Sequence, residues 1–289
     1  MAAESSRKPE KKRKQSDLRV RFWGVRGSTP TPYLGNLRYG GNTPCLELRW
    51  AQAEPLILDC GTGFRELGKA LEKEFGQKRI QARIFLTHYH WDHIQGIPFF
   101  TPLYREQNQF VFHGFPFRGE SVEAALEGQM VNPYFPVNMS TMRAQRRFLG
   151  INEERVVFDD LAISSRWLHH PQGCLGYRIE YGGKVLVYAT DNEPGDRQGD
   201  ESVRRLAEGA DVFIYDAQFL PEQMEEKRTW GHSHWKEGVG IAKECGVKKL
   251  VLFHHDPDRD DESVDKILRC ARDHFDDVVA AKEGLALTL

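Results

Sequence analysis

Thr87-His88-Tyr89-His90-Trp91-Asp92-His93 decides the reading of this chain. Four potential metal ligands fall within six residues, directly after the apolar run Ile84-Phe85-Leu86, which reads as a buried strand. In extended backbone, side chains at i and i+2 share a face, so His88 and His90 can hold one metal together. Asp92 and His93 come where the chain turns into a helix, so they point elsewhere and can feed a second metal nearby. Imidazole and carboxylate without thiolate suit zinc, iron or manganese. A closed structural zinc site takes four ligands and is usually rich in cysteine. No cysteine lies near this stretch, so the remaining ligands must come from afar.

Working outward, such ligands stand at matching places. His170 follows the apparent strand Ser164 to Leu168, Asp191 follows the strand ending at Thr190, and His254 follows Leu250 to Phe253. Each sits where a strand gives way to a loop, the usual place for functional groups on a rigid scaffold. Asp191 has two oxygens and can bridge two metals. The expected ligand set is therefore His88, His90, Asp92 and His93 from the motif, with His170, Asp191 and His254 from the rest of the chain. His254 is preferred over His255 because it is nearer the strand end. His169 and His255 are expected to pack behind the ligands, and His113 and His274 to be structural.

The intervening sequence alternates strands and helices. Leu18, Val20 and Phe22 alternate with arginines, and Leu46, Leu48 and Trp50 repeat the pattern. Phe64 to Phe75 and Trp235 to Cys245 read as helices, as does the terminal segment carrying Val264, Ile267, Leu268, Ala271 and Phe275. Leu175 to Tyr181 and Lys184 to Thr190 are strands joined at Gly182-Gly183, a two-residue hairpin signal. The stretch 118–147, with its Asn132-Pro133-Tyr134-Phe135-Pro136 cluster, has no clear period and reads as an insertion or flap. The class is α/β, with two mixed sheets covered by helices.

The 289 residues suffice for one substantial core. Forty basic residues against 42 acidic give a net charge of −2, which argues against nucleic-acid binding by bulk charge. The exception is Met1 to Ser16, which carries +4 and almost no large apolar residue. Residues 1–17 are expected to be a disordered basic tail and 18–289 one folded domain. No signal sequence or membrane-spanning run is evident, and five scattered cysteines suggest reduced thiols, hence a cytoplasmic protein without membrane contact.

The motif at residues 87–93 matches the T-H-x-H-x-D-H signature of the metallo-β-lactamase superfamily. Further stretches resemble its ribonuclease Z and phosphodiesterase-like branch. These are Leu58-Asp59-Cys60-Gly61, His170 with Gly176-Tyr177, Tyr215-Asp216-Ala217-Gln218-Phe219 and Gly231-His232-Ser233. Trp23-Gly24-Val25-Arg26-Gly27-Ser28 with Gly40-Gly41-Asn42-Thr43 is similar to bacterial phosphodiesterase-like members, some of which cleave cyclic nucleotides. The resemblance spans roughly Val20 to Asp258 and implies a four-layer αβ/βα sandwich.

It also implies a dinuclear hydrolase holding two divalent ions, zinc foremost with manganese or iron as alternatives, whose bridging hydroxide attacks phosphorus. His232 would protonate the leaving oxygen and Asp216, standing where the family has Glu, would orient it; Asp92 completes the catalytic set. His234 stands where the family usually has Thr and is a competing acid. A long Gly/Pro/Lys-rich arm is not found, so a small phosphodiester, such as a cyclic nucleotide, is the expected substrate. Transfer-RNA 3′-end processing with RNA as partner, thioester or lactone hydrolysis, and a non-catalytic metal-bound sensor or binding module are the alternatives. The resemblance further implies a homodimer.

Overall fold

The structure, a computed structural model, describes residues 17–289 except Gln52 and Asp159. The basic segment expected at the N-terminus thus lies outside the described residues, apart from Asp17.

The first half builds strands β1 (Leu18–Gly24), β2 (Cys45–Trp50), β3 (Leu56–Leu58), β4 (Gln81–Phe85), β5 (Gln109–Gly114) and β6 (Gln145–Gly150), with helices α1 (Gly63–Phe75), α2 (Trp91–Ile94) and α3 (Val122–Glu127). The second half builds β7 (Arg155–Phe158), β8 (Leu161–Leu168), β9 (Cys174–Tyr181), β10 (Lys184–Ala189), β11 (Val212–Asp216), β12 (Lys249–Phe253), β13 (Val278–Ala280) and β14 (Ala286–Thr288), with α4 (Arg197–Ala207), α5 (Trp235–Glu244) and α6 (Asp261–Arg272). Two seven-stranded sheets result, ordered β14-β1-β2-β3-β4-β5-β6 and β13-β12-β11-β10-β9-β8-β7. Both are mixed. Strands β3 to β6 run parallel, as do β10 to β13, while β1-β2 and β7 to β10 pair antiparallel.

The alternation read from sequence explains the layers. Leu18, Val20 and Phe22 turn inward and meet Ile163, Ile179 and Phe253 across the two inner sheet faces. The outer face of the first sheet is covered by α1 through Phe64, Leu67 and Leu71. Helices α4 to α6 cover the other through Val203, Ile241 and Ile267. The four-layer αβ/βα sandwich expected above is what the chain forms. The hairpin at Gly182-Gly183 has φ of 59° and 75°, the left-handed pair that a two-residue turn between twisted strands requires.

The segment 118–147 differs from a free flap. It carries α3 and leads into β6, the edge strand of the first sheet. Met130, Met139 and Met142 are buried in the core outside that sheet, so methionine anchors it where no regular period signals burial.

Because β3 and β4 run parallel, their carboxyl ends emerge at one edge of the sandwich. The same holds for β8, β10, β11 and β12, since β9 is antiparallel to both β8 and β10. Asp59, His88, His170, Asp191, Asp216 and His254 each lie at or just beyond one of these ends. Carboxyl ends of strands are where open α/β sheets place ligands.

Candidate metal centre

Three clusters of donor atoms form at this edge; one joins Asp191 and His254 to Asp216 and His232, and the expected ligands make up the remaining two. His88, His90 and His170 make one, and Asp92, His93, Asp191 and His254 the other; within each, the potential ligand atoms lie within 4.8 Å of one another. All seven side chains singled out in the sequence are thus brought together. Asp191 lies between the groups. Its Oδ1 is 3.8 Å from both His88 Nε2 and His170 Nε2, and its Oδ2 is 3.3 Å from His93 Nε2 and 3.4 Å from His254 Nε2. One carboxylate therefore faces both clusters, one oxygen to each.

The other nitrogens of these rings are held from behind. His93 Nδ1 lies 2.9 Å from Asp59 Oδ2, His254 Nδ1 2.8 Å from Gln218 Oε1, and His170 Nδ1 2.7 Å from the Gly231 carbonyl. In a neutral ring each of these contacts takes the N–H at Nδ1 and leaves Nε2 as a lone pair, the form that ligates a metal. Those lone pairs converge: His93 Nε2 is 3.2 Å from His254 Nε2, and His170 Nε2 is 3.0 Å from His90 Nδ1. His88 Nε2 is buried without a hydrogen-bond partner. Ring nitrogens this close need a proton or a metal ion between them, and a buried set of imidazole and carboxylate donors without thiolate fits two divalent ions. Burial pushes His88 well below the ordinary histidine value and His170 down to about 4, keeping both neutral.

Backbone geometry turns the side chains inward. Ser28, Asp59, Asp191 and His254 all have φ near +60°, a region costly for residues with a Cβ. At His254 this separates neighbours: its ring enters the cluster, while His255 Nε2 bonds the Ala281 carbonyl at 2.8 Å. Burial pushes His255 down to about 3, consistent with a packing role. His169 bonds the Glu193 carbonyl behind the site.

Beside the clusters, His232 Nδ1 lies 2.9 Å from Asp216 Oδ2. Asp216 is fully buried, and its oxygens also accept from the backbone N–H of Asp191, Gln218 and Ser233. Its acceptor capacity is occupied, so it orients His232 and is poorly placed to take a metal. Burial opposes a charged His232, but Asp216, with Asp191 and Asp92, outweighs it and pushes the ring up to about 9. His234 sits elsewhere: it caps α5, its Nδ1 accepting from Glu237 N at 3.1 Å, and burial lowers it.

A cleft of about 490 Å³ opens over the clusters, lined by Ser28, Tyr89, His90, Trp91, Asp191 and His232. A larger groove of about 660 Å³ lies at Arg19, Arg49 and Glu74, away from these groups. Arg49 is paired there with Glu47 and Glu74.

Sequence reading missed several supporting residues. Asp59, quoted only within a motif, accepts from Thr87 N, Thr87 Oγ1, His93 Nδ1 and Tyr188 Oη. Glu193 accepts the N–H groups of Thr229 and Gly231 and so fixes the turn before His232. A Cβ on Gly231 (φ +82°) would stand 2.2 Å from His170 Nδ1, and one on Gly27 2.4 Å from His254 Nδ1. Arg26 braces the glycine-rich loop from inside. It is fully buried and binds the carbonyls of Gly40, Asp256 and Arg259.

The profile of the family described as "Beta-lactamase superfamily domain" matches residues 55–255. The ribonuclease Z of Methanosarcina acetivorans is 27% identical, with 94% of this chain and 98% of that protein covered. Among solved structures, the metallo-β-lactamase fold protein YhfI from Bacillus subtilis superimposes with a TM-score of 0.69 at 20% identity, over 95% of this chain and all of that one. A diphosphatase of the PhnP family does so with a TM-score of 0.68 at 19% identity, covering 94% and 97%.

Proposed function

Because this chain belongs to the metallo-β-lactamase superfamily, in its ribonuclease Z-like branch, we propose that it is a metal-dependent hydrolase acting on a small phosphodiester. The observation that carries this reading is the His232–Asp216 pair beside the double cluster. His88, His90 and His170 would hold one divalent ion and Asp92, His93 and His254 the other, with Asp191 between them. Such ions, when bound, lower the pKa of water and polarise a phosphoryl oxygen.

The chain's own residues do the rest. Asp59, Gln218 and the Gly231 carbonyl fix the ligand rings so that their lone pairs need no reorientation. Hydrolysis adds the oxygen of water to phosphorus and breaks the bond to the leaving oxygen, which must gain a proton. His232 donates it from Nε2, the nitrogen left free by Asp216, and Asp216 stabilises the charged ring before transfer. The diphosphatase among the structural relatives supports a small substrate. Zinc is the metal proposed.

The test is turnover of bis(p-nitrophenyl) phosphate after loading with zinc or manganese. Wild type should turn over. His88→Ala should lose metal and activity, whereas His232→Ala should keep metal and slow by roughly 10²–10⁴-fold on a diester with an alkoxide leaving group, and by less on the p-nitrophenyl ester. A metal-loaded wild type that leaves the diester intact sinks the reading and turns the search to thioesters and lactones, and full activity in His232→Ala removes His232 as the proton donor. The name of the archaeal relative favours a second reading, cleavage of precursor transfer RNA. RNA cleavage that disappears on deleting residues 1–16 would support it, with the basic segment gripping the RNA.

A further inference from the structure

We propose that Glu193 is a positioning residue, which sets the proton donor His232 against the metal ligand His170 through the single residue Gly231. This rests on the reading of His232 as the proton donor.

Glu193 lies on the loop after β10, just past Asp191. It is 6% exposed, and its carboxylate makes no ion pair among the described residues. A carboxylate is costly to bury unless its oxygens find donors, and here both do. Oε1 accepts from Thr229 N at 2.8 Å and Oε2 from Gly231 N at 2.7 Å. Bonds from backbone N–H to a charged acceptor are roughly twice as strong as neutral ones. The turn they hold has a strained backbone. Thr229 has φ of 69°, an outlier for a β-branched residue, and Gly231 has φ of 82°. Without the carboxylate this turn has reason to relax.

Two functional side chains depend on that turn. Gly231 gives its N–H to Glu193, and its carbonyl accepts from His170 Nδ1 at 2.7 Å. The next residue is His232. Asp216 fixes its ring at Nδ1 and also accepts from Ser233 N at 3.2 Å. The backbone of His232 is therefore held on both sides, by Glu193 before it and by Asp216 after it. Glu193 is itself tied to the His170 loop. Its N–H donates to the His169 carbonyl at 2.8 Å, and its carbonyl accepts from His169 Nδ1 at 3.0 Å. Glu193 does not line the cleft, so it acts through Gly231 and not on a substrate. Asp216 sets how the His232 ring is turned, and Glu193 sets where its backbone stands.

The test is Glu193→Gln, which keeps the volume but turns an amide NH2 toward one of the two N–H groups. Two esters are compared at saturating zinc. Methyl p-nitrophenyl phosphate has a leaving group that departs with little help from a proton, whereas methyl phenyl phosphate has one that needs it. Misplacing a reacting group by about 1 Å costs on the order of 10²-fold. In Glu193→Gln, kcat on the phenyl ester should therefore fall roughly 10- to 100-fold, and much less on the nitrophenyl ester. In a His232→Ala background the same substitution should cost no more than about twofold, because the donor it places is gone. Equal losses on both esters, or the same loss with and without His232, show a carboxylate that only stabilises the fold and overturn the proposal. A second readout needs no turnover. The Nδ1–H proton resonance of His232, identified by its loss in His232→Ala, should shift or exchange faster with water in Glu193→Gln, while that of His93 stays. If wild type hydrolyses neither ester, or His232→Ala matches it on both, the functional reading fails and this resonance alone decides the placement. Moved, it upholds the role of Glu193; unmoved, it overturns it.

Discussion

At the scale of single residues, the centre depends on groups that never touch a metal. Asp59 collects four donors in a fully buried position, one of them the Nδ1–H of His93. Asp59→Asn keeps the shape but removes the charge that fixes the ring. Metal affinity in a competition titration should fall roughly 10- to 100-fold, since partners behind a ligand typically carry that much. Gln218 performs the same service for His254 through an amide, and its amide nitrogen reaches Ser28 Oγ at 3.3 Å.

His113, away from the site, gives a prediction about pH. It stacks on Phe85 at 4.2 Å, and neither ring nitrogen has a hydrogen-bond partner among the described residues. Burial, with Arg83 and Arg147, lowers it to about 4. The unfolded chain titrates near 6.5 and so binds more protons than the folded one between these values. The stability this neutral ring contributes is full above about pH 6.5 and is lost as pH falls toward 4, by about 3 kcal/mol in all. His113→Phe should therefore match wild type in urea denaturation at pH 7.5 and exceed it at pH 5. Equal acid sensitivity in both proteins would contradict this.

At the scale of elements, helix α6 holds the glycine-rich loop in place from a distance. Asp260 caps it, accepting from Ser263 N at 2.8 Å. The next residue, Asp261, accepts the backbone N–H of Arg38 and Tyr39, and Arg26 approaches it at 3.8 Å. Asp260→Ala removes the cap at a cost of about 1 kcal/mol, and the melting temperature should drop by about 2–4 °C. Asp260→Ser should recover most of the loss. The helix itself was legible from Val264, Ile267 and Ala271, which fall on one buried face. The segment 118–147 was not, because its burial rests on methionines at 130, 139 and 142 that follow neither a helical nor a strand period.

At the scale of the whole molecule, the clusters join its two halves. His88, His90, Asp92 and His93 come from the first sheet's loops, whereas His170, Asp191 and His254 come from the second. A metal in either cluster therefore links the two sheets and binds only the assembled fold. Metal at a thousandfold excess over its Kd should add about 4 kcal/mol of stability, raising the melting temperature by roughly 8–16 °C, and chelation should reverse the shift. A melting temperature indifferent to chelator would show that the clusters are not metal sites. Among the described residues no helix is long and apolar enough to cross a membrane.

The sequence by itself determined which donor atoms are available and the class of fold. Ligand type is a property of individual residues, and burial in strands and helices repeats at short, readable periods. Tertiary structure alone decided the partners. Asp59 meets His93 across 34 residues, Gln218 meets His254 across 36, and Arg26 reaches the Arg259 carbonyl across 233. It also chose between neighbours: the left-handed turn at His254 sends that ring inward and His255 outward, and the start of α5 takes His234 as a cap and leaves His232 with Asp216. A hydrogen bond between distant segments exists only once both are packed, so no local pattern encodes it, whereas donor atoms and hydrophobic periods are present before folding begins.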